Sequence, residues 1–208
     1  MLNKRFISFE GGEGSGKSTQ IKILKNRLSK IANVIVTREP GGTMEGEQIR
    51  KILVKGDLNK FSGQSETLLN FAARIEHVNK IIIPNLKNNK WVLCDRFIDS
   101  TTAYQGYGRR INIKMIENLS KNLINNIKPN ITFLLDIDPL EGIKRSRKRF
   151  NKELRYENMS LAYHRRIRSA FKKIAKNNKK RIIMIDANLN KTAIAEYIWK
   201  FIQKKISL

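Results

Sequence analysis

The sequence predicts a parallel α/β fold, one five-stranded sheet with helices on both faces, on two observations. Five short apolar runs, at 6–9, 34–36, 91–94, 131–137 and 181–185, alternate with stretches of helical periodicity. That alternation makes each connection a right-handed crossover between parallel strands. The second observation is Lys4 to Thr19, where an apolar run ends in glycines and passes straight into a helical pattern. It reads as strand, phosphate loop, helix.

The elements follow in order. Ile21, Ile23, Leu24, Leu28 and Ile31 recur at helical spacing after Lys17, and Val34 to Val36 is the next buried strand. Thr37-Arg38-Glu39-Pro40-Gly41-Gly42-Thr43 is a loop by its proline and paired glycines. Helices are expected at about 44–55 and 65–88, then a strand Trp91 to Cys94 ending on Asp95-Arg96. Phe97 to Arg110 reads as a long loop whose length suggests function or a partly helical start. A helix at about 112–127 leads to the strand Ile131 to Ile137, and Pro139 opens a helix that runs into Lys144-Arg145-Ser146-Arg147-Lys148-Arg149. Phe150 to Tyr156 reads as a mobile connection, followed by a helix at about 157–177, the strand Arg181 to Ile185 and a C-terminal amphipathic helix. In such sheets ligands sit at the carboxyl ends of strands, so the loops after residues 10, 36, 94 and 185 converge on one crevice.

The 208 residues suit a single domain, 1–208. No apolar stretch is long enough to span a bilayer, and Glu10 and Gly11 break the N-terminal apolar run, so the expectation is a cytoplasmic protein with no membrane partner. The lone Cys94 excludes an internal disulfide, and His77 and His164 are too far apart for zinc-ligand spacing. A net charge of +24 ordinarily suggests a nucleic-acid partner. Here the excess is spread over nearly every helix and no recognition motif accompanies it, so no specific nucleic acid is expected.

Gly11, Gly16, Lys17 and Ser18 match G-x-x-x-x-G-K-[ST] at every fixed position. Glycines turn the backbone so that its N–H groups face an anion, and the helix N-terminus adds partial positive charge. Lys17 is a point charge for phosphates, and Ser18 offers Mg²⁺ a hard oxygen that Asp95, at a neighbouring strand end, can supplement. Arg38 and Arg96 leave neighbouring strands as phosphate-binding forks. Glu13, a carboxylate inside an anion loop, needs another partner, a sugar hydroxyl or an arginine. Arg145, Arg147, Arg149 and Arg155 surround the connection and suggest a lid at about 145–157; a solvated basic helix face is the alternative.

Taken together, Gly11 to Ser18, Thr37 to Thr43, Phe71-Ala72-Ala73-Arg74, Asp95-Arg96-Phe97, Ser100 to Gly106 and the arginine-rich segment with Glu157 resemble thymidylate kinases in order and separation, over nearly the whole chain. The resemblance implies the P-loop nucleoside-monophosphate kinase fold, a homodimer, and transfer of the ATP γ-phosphoryl to dTMP with Mg²⁺, giving dTDP and ADP. By position, it assigns ATP to Gly11, Gly12, Glu13, Gly14, Ser15, Gly16, Lys17, Ser18 and Thr19, and the metal to Ser18 and Asp95. It makes Lys17, Asp95, Arg96, Arg149 and Arg155 catalytic, of the type whose arginine comes from the lid. For dTMP it implies Phe71 stacked on thymine, Arg74 bonded to it, Ser100, Thr101 and Gln105 nearby, Arg38 and Arg96 on the phosphate, Glu13 near the 3′-hydroxyl and Tyr104 against the 2′ side. A phenylalanine in an amphipathic helix is otherwise core. Another (deoxy)nucleoside or nucleoside-monophosphate kinase and a basic nucleic-acid-binding ATPase are the alternatives. The absence of N-K-x-D and D-x-x-G motifs argues against a GTPase.

Overall fold

The computed structural model describes residues 4–147, 155, 156 and 158–206. Its sheet has the order β2-β3-β1-β4-β5, with β1 (Phe6–Glu10), β2 (Val34–Arg38), β3 (Trp91–Asp95), β4 (Ile131–Asp136) and β5 (Ile182–Asp186), all parallel. Central β1 is buried along its whole length, which is why Phe6 to Phe9 reads as an apolar run rather than an alternating one. Its one hydroxyl, Ser8 Oγ, meets Thr132 Oγ1 of β4 at 2.7 Å, so that buried polar pair satisfies itself.

Helices α1 (Lys17–Leu28) and α9 (Lys191–Ile206) cover one face, where Ile21, Leu24 and Leu28 pack with Phe9, Leu93, Phe133 and Ile198. The other face carries α3 (Gly63–His77), α4 (Ile83–Lys87) and α6 (Ile113–Ile124), with Phe6, Val92, Phe71, Ile82 and Ile116 in one cluster. Further helices are α2 (Met44–Val54), α5 (Ile98–Thr101), α7 (Pro139–Arg147) and α8 (Leu161–Asn177). A π-helical turn, Val78–Ile82, joins α3 to α4, and Pro84, whose ring has no N–H to donate, falls in the first turn of α4.

The expected loop after Arg96 is a correction. Residues Ile98–Thr101 are α-helical and Thr102–Gly108 continue as a π-helix. The glycines that read as loop punctuation allow close packing instead: a Cβ on Gly106 would crowd Ile113 Cδ1, and one on Gly108 would meet Ile167 and Tyr163. Tertiary contact with α6 and α8 overrides the local signal.

Glu10, Arg38, Asp95, Asp136 and Asp186 close the five strands at one end. There the phosphate loop lies directly on α7: a Cβ on Gly14 would overlap the Gly142 carbonyl, and one on Gly142 the Glu13 carbonyl oxygen. Gly142→Ala is therefore expected to cost about 1–3 kcal/mol, because backbone must move to admit it. Denaturant unfolding with an unchanged midpoint would contradict this packing.

Candidate active site

One cavity of about 340 Å³ opens at the carboxyl ends of β1, β2 and β3, lined from Glu13 to Ser18 and by Arg38, Arg74, Asp95, Arg96, Ser100, Thr101, Tyr104 and Gln105. Gly11, Gly12 and Thr19 lie outside that lining, and the first two act through their carbonyls. Lys17 Nζ donates to Gly11 O at 3.2 Å, Gly12 O at 3.0 Å and Ser15 Oγ at 3.4 Å. Burial, followed by the neighbouring Arg96 charge, pulls the Lys17 ammonium below its ordinary value. Ser18 Oγ donates to Asp95 Oδ2 at 3.0 Å, so a hydroxyl and a carboxylate stand together beside the loop.

Arg96 adopts φ 68°, a left-handed conformation costly for an arginine. Its side chain is fixed by Glu13 Oε1 at 2.7 Å, Gly11 O at 3.0 Å and Ser100 Oγ at 3.2 Å, and its guanidinium carbon lies 5.0 Å from the Tyr104 ring centre. Glu13 thus has the arginine partner that its position required. Burial pushes the Glu13 carboxyl up, but Arg96 and Lys17 outweigh it and hold the group below the usual range. Tyr104 Oη donates to the same Glu13 oxygen at 3.1 Å.

Beneath Arg96, Glu10 accepts from Phe97 N at 2.8 Å and Ser100 Oγ at 2.6 Å, tying the end of β1 to the turn that carries the arginine. Burial and the Asp99 charge push the Glu10 carboxyl up to about 8 from 4.5. The folded chain therefore keeps a proton that the unfolded chain loses; this contribution to stability is complete below about pH 4.5 and is lost as pH rises to about 8. Glu10→Gln is expected to flatten that part of the stability curve. Denaturant midpoints falling equally with pH in both proteins would refute it.

Arg74 is 2% exposed and held on three sides. Its Nε donates to Glu39 Oε2 at 2.8 Å and its Nη2 to Thr101 Oγ1 at 2.9 Å, while its guanidinium carbon lies 5.2 Å and 5.1 Å from the Phe71 and Phe97 rings. Glu39 also meets His77 Nδ1 at 2.9 Å, and His77 Nε2 meets Thr37 Oγ1 at 2.6 Å. Burial raises the Glu39 carboxyl, yet Arg74 and His77 bring it below its ordinary value. Among the described residues Arg74 Nη1 has no hydrogen-bond partner. A buried donor left unpaired is costly unless something enters to accept from it.

Two expected site residues lie elsewhere. Phe71, 1% exposed, sits in the apolar cluster with Phe97 and Val92 and is absent from the cavity lining. Its ring packs toward the sheet with the Arg74 guanidinium over it, while the adjacent Asn70 lines the cavity. Arg155 is also buried, and its guanidinium donates to Leu53 O at 2.7 Å, Asp57 O at 2.9 Å, Leu58 O at 3.0 Å and Glu66 Oε2 at 2.8 Å. Carbonyls in the last turn of α2 and in the segment after it, with a buried carboxylate, take its donors, so its guanidinium is spent on this anchorage. Arg145 donates to Ala187 O at 3.0 Å and Arg147 ends α7 exposed. Arg149, Glu157 and most of the expected lid, 148–154, lie outside the described residues.

Arg38 lines the cavity half-exposed, its Nη2 2.9 Å from Glu47 Oε2. Sequence reading missed Asn70, Arg50 and Tyr156, which line the cavity, and Glu39, Glu66 and His77, which hold its side chains. Glu39 stood inside a quoted motif; the others gave no local signal.

A family model for thymidylate kinase matches residues 9–198. The chain belongs to the thymidylate kinase family. It is 44% identical to a thymidylate kinase of Afipia carboxidovorans over 98% of this chain and 90% of that protein, and 44% identical to one of Magnetococcus marinus over 97% of each. A crystal structure of thymidylate kinase from Ehrlichia chaffeensis superposes with a TM-score of 0.77 at 39% identity, covering 95% of this chain and 98% of that one. Family membership makes the chain a nucleoside-monophosphate kinase that uses ATP.

Proposed function

We propose that this cavity transfers the ATP γ-phosphoryl to dTMP with its donor half on Gly14 to Ser18 and its acceptor half on Arg38, Arg74, Arg96, Thr101, Tyr104 and Gln105. The observation that carries the reading is that phosphate loop, Arg96 and Arg74 open into one cavity, anchored by Glu13, Gly11 and Glu39.

The acceptor phosphate is itself an anionic nucleophile, so alignment and charge neutralisation carry the reaction and no strong base is needed. Arg96 and Arg38 hold the dTMP phosphate, and Lys17, released from the Gly11 and Gly12 carbonyls, follows the transferred group. Ser18 and Asp95 are hard oxygen donors that would hold Mg²⁺, which would supply charge neutralisation for the ATP phosphates. Tyr104, fixed on Glu13, crowds the sugar's 2′ side. Arg74 Nη1 is a ready donor to a thymine carbonyl.

We also infer a homodimer and a cytoplasmic location. Leu68 on α3 is 50% exposed, and no described helix is long and apolar enough to cross a membrane. Sedimentation at two concentrations tests the dimer. The reaction is tested by ATP- and Mg²⁺-dependent phosphorylation of dTMP, dUMP, UMP, CMP, AMP, GMP and thymidine, with and without DNA. Clear preference for dTMP is expected; preference for thymidine, or turnover only as DNA-stimulated hydrolysis, would overturn the site reading.

A further inference from the structure

Gln105 lines the cavity, but its amide does not point there freely. Its Nε2 donates to Glu66 Oε1 at 2.8 Å, and the other Glu66 oxygen accepts from Arg155 at 2.8 Å and Arg109 at 3.3 Å. Glu66 is wholly buried. A carboxylate paired with two guanidinium groups accepts hydrogen bonds and donates none, so the amide end that meets it is the NH₂. The carbonyl oxygen is the end left for a ligand. Glu66, Asn70 and Arg74 recur at four-residue spacing on α3, placing the carboxylate two turns from the unpartnered Arg74 Nη1 on one helix face.

Arg74 and Gln105 both line the cavity, so its wall carries one unpartnered donor, Arg74 Nη1, and one acceptor that Glu66 leaves unengaged, Gln105 Oε1. A pyrimidine edge that matches has a carbonyl beside an N–H, as thymine and uracil have at C4 and N3. Cytosine presents an amino group and a bare ring nitrogen there, wrong at both positions. Two buried carboxylates set this pattern, Glu39 for the donor and Glu66 for the acceptor.

We propose that Glu66 is a positioning residue that determines base specificity by holding the Gln105 amide with its carbonyl toward N3 of the base. The proposal rests on the reading of the cavity as a site for the base of a nucleoside monophosphate. Without the carboxylate, the amide can turn over and present either end. A residue two layers from substrate then decides which edge is read.

The test is calorimetric binding of dTMP and of its 3-deaza analogue, in which C–H replaces N3–H, to the wild type and to Gln105→Met, Glu66→Gln and Glu66→Gln/Arg155→Met. The double variant removes Arg155 together with the carboxylate, because Glu66→Gln alone strands that fully buried guanidinium and endangers folding, whereas Arg109 is partly exposed and keeps the Leu58 carbonyl. Thermal unfolding confirms which variants are folded. Wild type is expected to prefer dTMP by about tenfold, the worth of one hydrogen bond. The ratio should fall to about one in Gln105→Met and below about threefold in the folded Glu66 variants, even where absolute affinities also change. A merely structural role would lower affinity for both ligands and leave the ratio at its wild-type value. A ratio lost in Gln105→Met but kept in the Glu66 variants would show that Gln105 reads the base unaided, and a ratio kept in all would show that it does not read N3; either overturns the proposal. Wild type that binds neither ligand would instead overturn the reading of the cavity, and this proposal with it.

Discussion

Lys17→Ala should lower turnover of dTMP with ATP by about 10³-fold or more, with the fold intact. The ammonium is buried at the loop, and among the described residues it is bonded to groups that a phosphate oxygen would replace, Gly11 O, Gly12 O and Ser15 Oγ. Lys17→Arg should not restore activity, because the branched guanidinium does not fit a nest formed by three oxygens around one nitrogen. Steady-state rates with a thermal melt for each variant decide the matter, and near-normal turnover of Lys17→Ala would remove the loop from the reaction.

Arg96→Met should lower kcat/KM for dTMP by about 10²–10³-fold, while KM for ATP moves by less than about threefold. The loss is expected on the acceptor side because Arg96 faces the cavity beside Ser100 and Tyr104, away from the Ser18 and Asp95 pair that stands by the ATP phosphates. Arg96→Gly provides an internal control. Glycine accepts the φ of 68° without strain, so this variant should be as inactive as Arg96→Met yet more stable. Equal stability of the two would mean that the left-handed backbone carries no strain; equal loss for ATP would mean that Arg96 serves both substrates.

Much of the architecture was legible in the sequence because the three central strands are buried almost throughout and several helices follow a glycine or a capping serine, threonine or asparagine. Five apolar runs became five parallel strands, and the loops after β1, β2 and β3 did converge on the cavity, whereas the loop after β5, expected there too, supplies none of its lining. The long segment after Arg96 was misread because its glycines serve packing against α6 and α8, and residue spacing cannot distinguish a glycine needed for φ from one needed for room. Phe71 was placed one residue wrong in effect. Which of two adjacent side chains on α3 faces the cavity depends on how the helix is rotated against the sheet, and only tertiary packing fixes that. Arg155 was equally ambiguous: a guanidinium in a basic segment looks solvated until its partners, on α2, the turn after it and α3, are known. The carboxylates Glu39 and Glu66 stayed hidden for the same reason, since the groups they hold lie 35 and 39 positions away.

The contact between Gly14 and Gly142 has a mechanical consequence. Side chains between two elements act as a compliant layer, since rotamers absorb small displacements before backbones feel them. Here that layer has no thickness, because neither glycine leaves room for a single carbon. Any displacement of the loop would therefore press directly on α7, which ends at Arg147 and includes Ser146 on the cavity wall. Loop and helix behave as one stiff lever, with its short arm under the nucleotide.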